Sequence, residues 1–521
     1  MPLFTWIGKD KVVNHDKDVP FRLLKKNKGL SLGERSENLI VEGDNLEALK
    51  ALLPFYYGQV KCVYIDPPYN TGNEKWVYND KVNSPAIQKW LKKTVGQEGE
   101  DLERHDKWLC MMYPRLKLLH QLLREDGVIF ISIDDNEHCN LKMIMDDIFG
   151  TENFVANIIW QKKFSPQNDA RYFSDNHDFI VCYAKKKNYN GIEDGWKRNL
   201  QPRNDEMNAR YSNPDNDTRG VWTSGDMSVK TYTPSTDYPI TTPSGRVVNP
   251  PKGYCWRFSK EKFTELVKDS RIWFGENGSN VPRLKRFLTE VQEGLVPLTI
   301  WLHTEVGHNQ EAKQEIKNIL KSESPFQTPK PTRLIKRILQ IATRKDDIIL
   351  DSFAGSGTTA QAVLEMNEEE KDSNRKFILV EMEKKIAREI TQERVRRVAK
   401  KIGGGDFEYV ELGEPLFRAD GNINDKVSFE EMASYIYFTE TLSNIDKKKI
   451  KGNCIGEYNG TEYYLLFRQK GENILSRSAL KGIKKNEERK VIYADKCLLG
   501  EETLGQYNIV FKQIPYQVRV Y

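Results

Sequence analysis

The sequence predicts an α/β fold with a largely parallel sheet, because short apolar segments alternate with amphipathic helical segments along most of the chain. Buried strands are indicated at 39–44, 60–65, 127–134, 347–351 and 377–381. Helices are indicated between them, at 45–54, 107–124, 138–149, 331–343 and 358–366. A further pair of strands is expected near 154–160 and 178–183.

Composition limits the class of protein. The chain has 521 residues, of which 38% are hydrophobic and 30% charged, which suits roughly three domains and excludes wholesale disorder. No apolar run approaches the ~18 residues of a membrane helix, and the N-terminus lacks the pattern of a signal peptide. We therefore expect a cytoplasmic protein with no membrane partner. The seven cysteines and seven histidines show neither zinc-binding nor disulfide spacing, so no metal is expected.

The pattern changes twice along the chain. Between about 190 and 325 the α/β alternation stops, and basic residues are interleaved with aromatic ones: Trp222, Tyr232, Tyr254, Trp256, Arg257, Trp273, Arg283, Lys285 and Arg286. Such residues suit phosphate contact and base stacking, although a β-rich insertion without that role would contain them too. The net charge of +5 permits a nucleic-acid partner without arguing for one. After 405 the chain becomes β-rich, with strands expected at 462–468, 490–494 and 507–521.

These changes divide the chain into five segments. Residues 1–34 are expected to form an N-terminal extension, 35–190 and 328–404 two halves of one α/β domain, 191–327 an inserted domain, and 405–521 a small C-terminal domain. A polar stretch from 70 to 104 is expected to be a mobile loop inside the first half.

A glycine-containing loop lies at one predicted strand-to-helix turn. Residues 351–359 read Asp-Ser-Phe-Ala-Gly-Ser-Gly-Thr-Thr, and the two glycines let the backbone bend tightly and let a ligand approach the amides. No Gly-Lys-Ser/Thr follows, which argues against a phosphate-binding P-loop. Glu381, at the end of the next strand, suits ribose hydroxyls. These features serve NAD and S-adenosylmethionine alike, so this loop leaves an oxidoreductase and a methyltransferase both open.

The segment Asp66-Pro67-Pro68-Tyr69 ends another buried strand and favours the methyltransferase. An exocyclic amino nitrogen on a base is a poor nucleophile, because its lone pair is delocalised into the ring. Hydrogen bonds from that amino group to Asp66 and to the Pro67 carbonyl would favour sp3-like geometry and direct the lone pair at a sulfonium methyl. The prolines stiffen the turn and remove competing N–H donors. Tyr69 offers a face on which an extruded base can stack.

Two further sets of residues are interpreted as structural. A basic segment, expected to be a solvated helix face, contains Arg394, Arg396, Arg397, Lys400 and Lys401. Cys110 and Cys139 are expected to be core residues.

The order of the two motifs resembles a known family. Asp66-Pro-Pro-Tyr69 followed far downstream by Phe353-Ala-Gly-Ser-Gly-Thr-Thr359 is similar to β-class DNA amino-methyltransferases, and the match is closest to the modification (Mod) subunits of type III restriction-modification systems. Further stretches that resemble that family are Gly43–Leu46, Trp222–Asp226, Thr242–Arg246, Glu305–Asn309 and Thr328–Pro331. The resemblance spans roughly residues 35–400.

The resemblance implies a Rossmann-like, S-adenosylmethionine-dependent methyltransferase sheet, with 191–327 as an inserted target-recognition domain and a small β-rich (α+β) domain at the C-terminus. It implies that Asp66, Pro67, Pro68 and Tyr69 are catalytic. The implied cofactor-binding residues are Asp44, Asp66, Lys330, Asp351, Phe353, Ala354, Gly355, Ser356, Gly357, Thr358 and Glu381. In that set Asp351 would support the loop, Glu381 would bind the ribose and Asp44 the adenine, and Lys330 would pair with the cofactor carboxylate or remain a solvated lysine.

The resemblance also implies a function: methylation of the N6 amino group of adenine in a short duplex DNA sequence, by base flipping. N4-cytosine methylation, RNA methylation, a non-catalytic subunit that only directs a nuclease, and an NAD oxidoreductase remain as alternatives. The expected partners are double-stranded DNA, a second copy of the chain in a homodimer, and a separate restriction subunit carrying helicase and nuclease activity.

Overall fold

A computed structural model describes residues 4–34, 36–71, 104–188, 195–203, 208–291, 294–323, 325–418, 422–468, 473–483 and 485–514. The chain divides into two compact units, one of Met1–Asn199 with Leu298–Tyr521 and one of Leu200–Pro297. Most of the predicted loop at 70–104, from 72 to 103, lies outside the described residues. None of the helices in the described ranges is long and apolar enough to cross a membrane.

A ten-stranded sheet forms the centre of the larger unit. Its strands are β1 (Arg22–Lys26), β2 (Leu39–Glu42), β3 (Val60–Ile65), β4 (Leu123–Ile133), β5 (Phe154–Gln161), β6 (His177–Ala184), β7 (Ile300–Trp301), β8 (Ile348–Asp351), β9 (Lys376–Glu381) and β10 (Glu408–Pro415). Their order across the sheet is β1-β10-β2-β9-β8-β3-β4-β6-β5-β7. The strands from β10 to β4 are parallel to one another, whereas β1 and β6 run antiparallel to their neighbours. The predicted α/β fold with a largely parallel sheet is confirmed.

Helices cover both faces of this sheet. They are α1 (Asn45–Tyr56), α2 (Arg104–Leu122), α3 (His138–Phe149), α4 (Asn309–Leu320), α5 (Thr332–Ala342), α6 (Thr358–Glu369), α7 (Gln392–Ile402) and α8 (Phe429–Thr441). One core cluster joins the sheet to α1, α2 and α3, and a second joins it to α5, α6 and α7. Because successive strand residues point to opposite faces, Val63 of β3 lies in the first cluster and Tyr64 in the second.

Segments that were predicted to lie outside the α/β domain contribute strands to its sheet. β1 comes from the 1–34 segment and β10 follows position 405, and the two pair with each other at one edge. β7 and α4 come from the predicted 191–327 insertion, while the smaller compact unit covers only Leu200–Pro297. These strands lie at or next to an edge of the sheet, are only two to eight residues long and carry weak apolar patterns. The boundaries of the α/β domain therefore depend on strand pairing, which the local sequence does not reveal.

The Leu200–Pro297 unit has its own small core. A helix at Lys260–Lys268 packs with residues of several short strands, and the buried apolar side chains are Met227, Ile240, Val248, Trp256, Phe263, Ile272 and Phe274. Some residues that were considered for DNA contact are therefore interior: Trp222 and Trp256 are buried, and Lys285 is buried between Asp215 and Asp217. Exposed members of that set include Tyr232, Arg257, Arg283 and Arg286.

The C-terminal part contains the predicted strands, the helix α8 and a short helix at Glu501–Gln506. A four-stranded sheet is formed by Cys454–Tyr458, Thr461–Leu465, Arg489–Ala494 and Ile509–Gln513. It shares a core cluster with α8, which begins with a capping box between Ser428 and Glu431. The end of the predicted 507–521 strand, from 515 onward, lies outside the described residues.

The two cysteines expected in the core differ in burial. Cys110 is buried in α2, as predicted, but Cys139 is exposed on α3, so that prediction is wrong. The buried face of α3 repeats at helical spacing through Leu141, Ile144, Met145 and Phe149, and Cys139 falls off that face.

Candidate functional site

The Asp66–Tyr69 turn follows β3, a strand that is buried along its whole length between β8 and β4. Residues behind the turn hold it in place. The Trp108 indole N–H donates to the Pro68 carbonyl at 2.6 Å. Asn70 adopts a left-handed conformation (φ 58°), and its side-chain amide donates to the Glu137 carboxylate. Among the described residues no backbone N–H donates to the Pro67 carbonyl, the second acceptor that the sequence predicted for an amino group.

Lys330 forms an ion pair with Asp66 at this turn. The Lys330 ammonium donates to Asp66 Oδ2, and it also lies 5.1 Å from the centre of the Tyr69 ring. Because Lys330 is 8% exposed, the reading of it as a solvated lysine is wrong. Asp66 Oδ1 is buried and has no hydrogen bond of good geometry among the described residues. One carboxylate oxygen is thus fixed by the lysine, and the Tyr69 hydroxyl interacts with the same carboxylate.

The glycine loop joins β8 to α6, next to the Asp66–Tyr69 turn. Asp351, the last residue of β8, accepts hydrogen bonds from the Phe353 amide at 3.1 Å and from the Thr359 hydroxyl at 2.5 Å. Gly355 and Gly357 have φ values of 50° and 77°, a region that glycine adopts without strain. A Cβ on Gly357 would lie 3.3 Å from Thr391, a tight contact that would require Thr391 to shift slightly. Asp351 therefore supports the loop, as the resemblance implied.

The turn and the loop line one cavity of about 270 Å³. The predicted site residues that line it are Asp66, Pro67, Tyr69, Lys330, Asp351, Phe353, Ala354, Gly355, Ser356 and Thr358. The structure therefore brings together residues that are separated by almost 300 positions in the chain. Pro68, Gly357, Asp44 and Glu381 do not line this cavity.

Glu381 and Asp44 make local hydrogen bonds. Glu381 is buried at the end of β9, where its carboxylate accepts from the Gly355 amide at 2.8 Å and the Glu383 amide at 2.9 Å. Asp44 caps the N-terminus of α1 by accepting from the Leu46 amide at 2.9 Å. Glu381 thus shapes the glycine loop from the adjacent strand. Their contacts with a ribose and an adenine stay predictions.

Arg394 of α7 lies behind the glycine loop and is fully buried. Its guanidinium donates to the Gln361 side chain at 2.7 Å, the Thr358 hydroxyl at 2.8 Å and the Ser356 hydroxyl at 2.9 Å. The prediction of a solvated basic face is wrong for this residue, because α7 packs on α6 with Arg394 pointing inward. Arg396 and Arg397 are partly exposed and Lys400 and Lys401 are exposed, as expected.

Burial raises the pKa of two carboxyl groups and one phenol around the cavity. Burial raises the pKa of Asp178 to about 6, although Lys162 and Lys330 oppose the shift. Lys162 donates to Asp178 and to Asp175, at 2.7 Å in each case. Burial also raises the pKa of Asp351 to about 7, against the hydrogen bonds from Thr359 and Phe353. Burial and then the charge of Asp66 raise the pKa of Tyr69 well above its ordinary value, so its hydroxyl stays protonated.

The raised pKa of Asp351 predicts a pH-dependent stability. The folded protein holds this proton up to about pH 7, whereas an aspartate of ordinary pKa 3.8 loses it much earlier. The stabilising contribution is therefore fully present below about pH 4 and is lost as the pH rises through 7. Urea unfolding should show that the wild type loses more free energy of unfolding between pH 5 and pH 8 than Asp351→Asn does. The exposed neighbour variant Asp346→Asn should behave as the wild type, and equal losses in all three proteins would contradict the assignment.

Comparison with known proteins identifies the family. The model of a family described as DNA methylase matches residues 60–393, well over half of the chain. The chain belongs to the DNA methylase family. The type III restriction-modification enzyme StyLTI Mod subunit of Salmonella typhimurium is 36% identical over 425 residues, which cover 76% of this chain and 61% of that protein. The EcoPI Mod subunit of Escherichia phage P1 is 31% identical over 492 residues, which cover 84% of this chain and 74% of that protein.

One solved structure is similar to the chain at low sequence identity. The PvuII DNA methyltransferase, described as cytosine-N4-specific, matches with a TM-score of 0.37 and 13% identity over 73% of this chain and 98% of that one. The predicted resemblance to type III Mod subunits is confirmed by the two relatives. The sequence of the glycine loop was compatible with either NAD or S-adenosylmethionine. This family uses S-adenosylmethionine as its methyl donor.

In this DNA methylase, two charged residues next to β5 and in β6, Lys162 and Asp178, line the cavity although the sequence did not predict them as site residues. Lys162 follows β5, and Asp178 is the second residue of β6. Both line the cavity beside Asp66. β6 runs antiparallel to β4, so its first residues reach the edge at which the parallel strands end. A charged residue at the start of a predicted strand indicates a site residue only if the strand is known to run antiparallel, because only then does its first residue reach the edge at which the parallel strands end.

Proposed function

We propose that this DNA methylase transfers the methyl group of S-adenosylmethionine to the N6 amino group of an adenine that has been rotated out of a short duplex DNA sequence. The observation that carries the proposal is the single cavity shared by the Asp66–Tyr69 turn and the glycine loop. An acceptor pair for an amino group and a loop suited to a nucleoside ligand open into the same space.

The residues around the cavity suit the proposed cofactor. The glycine loop approaches the cavity with its backbone, and the absence of side chains at Gly355 and Gly357 leaves that approach open. Phe353 offers an apolar surface, and Lys330 lines the same cavity, where its ammonium would meet a cofactor carboxylate. When bound, S-adenosylmethionine supplies an activated methyl group on a sulfonium, so the chain needs no metal to activate it.

The chain's own residues would then prepare the adenine. Asp66 Oδ1 and the Pro67 carbonyl would accept the two amino hydrogens and orient the nitrogen lone pair. Lys330 would hold Oδ2 and so fix the orientation of the carboxylate. When the nitrogen gains the methyl group it must lose one proton, and Asp66 is placed to accept it and pass it to water.

Tyr69 would hold the extruded base by stacking. A base–aromatic stack contributes about 1–3 kcal/mol, so Tyr69→Ala should lower kcat/KM by roughly 5- to 150-fold. Tyr69→Phe keeps the ring and should lower kcat/KM only mildly. Steady-state methylation of an oligonucleotide duplex measures both variants, and an equal loss in the two would mean that the hydroxyl, and not the stacking surface, is the important feature.

The region from about 195 to 325 would select the DNA sequence. The turn and the glycine loop must serve any adenine, so other residues have to contact the neighbouring base edges. We expect that replacing residues 195–325 with the matching segment of a related enzyme transfers the recognition sequence of that enzyme. Methylation mapping of DNA from cells that carry an active chimera tests this. If the chimera still methylates the original sequence, recognition lies elsewhere, with the domain after 405 as the first candidate.

The relatives' names suggest the setting in which the chain works. Both are Mod subunits of type III restriction-modification enzymes, so we propose that this chain forms a homodimer in the cytoplasm and associates there with a separate restriction subunit. Light scattering of the purified chain, alone and mixed with the restriction subunit of a type III system, tests both associations.

Modified-base sequencing of DNA from a host that expresses the chain tests the proposed function in cells. We expect N6-methyladenine at one position of a short sequence, and none in a host with the Asp66→Ala variant. N4-methylcytosine at a fixed sequence would favour the cytosine alternative, and unmodified DNA from an expressed, folded chain would favour a subunit without catalytic activity.

A further inference from the structure

The connection between β5 and β6 carries two neighbouring aromatic side chains that project into solvent. In this segment, residues 162–176, Tyr172 is 80% exposed and Phe173 is 94% exposed. Single exposed apolar residues are common, but adjacent aromatic rings at such exposure usually mark a binding surface. The mechanism described above gives these residues no role.

The base of this loop is fixed at the rim of the cavity. Lys163 and Asp175 both line the cavity that contains Asp66. Asp175 is held by Lys162 at 2.7 Å, and the Gln167 amide donates to the Ser174 hydroxyl at 2.8 Å. Two residues extend at most about 7 Å, so Phe173 cannot lie far from Asp175 and the mouth of the cavity.

Phe164, at the start of the loop, is 54% exposed but contacts two histidine rings, whereas Tyr172 and Phe173 near the end of the loop are more exposed. Phe164 stacks on His303 with ring centres 5.6 Å apart and contacts His308 at 5.4 Å. The only ring contact of Tyr172 among the described residues is with the Arg171 guanidinium at 5.3 Å. The loop thus combines an anchored base with an exposed tip in which, among the described residues, the ring of Tyr172 contacts only Arg171.

We propose that Tyr172 and Phe173 form a wedge that enters the DNA base stack and fills the gap left when the target adenine rotates into the cavity. This inference rests on the proposed function. An extruded base leaves a space between two base pairs whose apolar faces stack on aromatic side chains, and proteins that kink DNA insert apolar residues between base steps in the same way. Arg171 is placed beside the wedge to contact a phosphate.

The position of the loop favours duplex DNA over a protein partner. A surface for a second protein could lie anywhere on the unit, but these rings lie beside the one cavity that must receive a base. The wedge occupies the space of the departing base, so it should stabilise the extruded state and should be dispensable when the target base is not paired.

The test uses full-length protein and duplexes that carry the mapped recognition sequence with 2-aminopurine at the target adenine. This base becomes brighter when it leaves the stack, so the readout does not depend on methyl transfer. The variants are Tyr172→Ala/Phe173→Ala and a control, Tyr458→Ala, which removes a partly exposed ring from the C-terminal sheet. A second duplex carries an abasic site opposite the target.

On the fully paired duplex, the double variant should lose most of the fluorescence increase and bind roughly 10- to 100-fold more weakly, as the loss of base stacking implies. On the abasic duplex it should come within about twofold of the wild type, and the control should match the wild type on both.

Wild-type behaviour of the double variant on the paired duplex would overturn the proposal and point to a protein partner for the loop. If the double variant binds both duplexes equally weakly, the proposal is also overturned, because the loop would then bind DNA without acting as a wedge. Failure of the wild type itself to methylate adenine would instead overturn the proposed function.

Discussion

Asp66→Ala should lower kcat for methyl transfer by at least about 1,000-fold while S-adenosylmethionine binding stays measurable. The variant removes Oδ1, the acceptor proposed for the adenine amino group, and also the anion that holds Lys330. A group that acts mainly in the transition state affects kcat far more than KM. Steady-state kinetics and calorimetric titration of the cofactor separate the two effects.

Two controls keep this result interpretable. Asp66→Ala leaves the buried Lys330 without its anion, which is destabilising, so the melting temperature of the variant has to be measured. Asp425→Ala removes an ion-paired carboxylate from the exposed C-terminal surface, where Asp425 pairs with Arg418, and should leave kcat unchanged. Near-normal turnover by a folded Asp66→Ala protein would contradict the assignment of the Asp66–Tyr69 turn as catalytic.

Arg394→Met should destabilise the protein by about 3 kcal/mol or more, because removing one partner of a buried charged network leaves the others unsatisfied. Burial lowers the pKa of Arg394 to about 10, so it is charged at neutral pH and serves Gln361, Ser356 and Thr358 at once. Because two of these belong to the glycine loop, the variant should also bind S-adenosylmethionine more weakly. Urea unfolding and calorimetric titration measure the two losses.

A matched control lies on the same helix. Arg396 is partly exposed and pairs with Glu393 at 3.7 Å, so Arg396→Met should change the free energy of unfolding by no more than about 0.5 kcal/mol. Arg394→Lys keeps the charge but not the planar set of donors, and it should fall between Arg394→Met and the wild type. Equal stability of the two methionine variants would mean that the buried network contributes nothing.

The central part of the fold and the two ends of the site could be predicted from sequence because they depend on local patterns. β3 and β8 are apolar runs followed by Asp66 and by the Asp351 loop, and parallel strands deliver such residues to one edge of a sheet. The resemblance to a family then added a role for Lys330 that no local pattern contains.

What could not be predicted depends on contacts across the fold. The Lys330–Asp66 ion pair joins residues 264 positions apart, and a lysine before a proline-started helix gives no local sign of it. Arg394 lies in a segment with five basic residues, and only the packing of α7 on α6 decides which of them points inward. Lys162 and Asp178 reach the cavity because β6 is antiparallel, a direction that the apolar pattern of the strand does not specify.

The most direct test of the central claim is mass spectrometry of the nucleosides released from duplex DNA after reaction of the purified chain with S-adenosylmethionine carrying a deuterated methyl group. We expect the label on the N6 nitrogen of adenine, in one short sequence only, and we expect it to depend on Asp66. Label on cytosine N4, or label on adenine that persists in a folded Asp66→Ala protein, would contradict it.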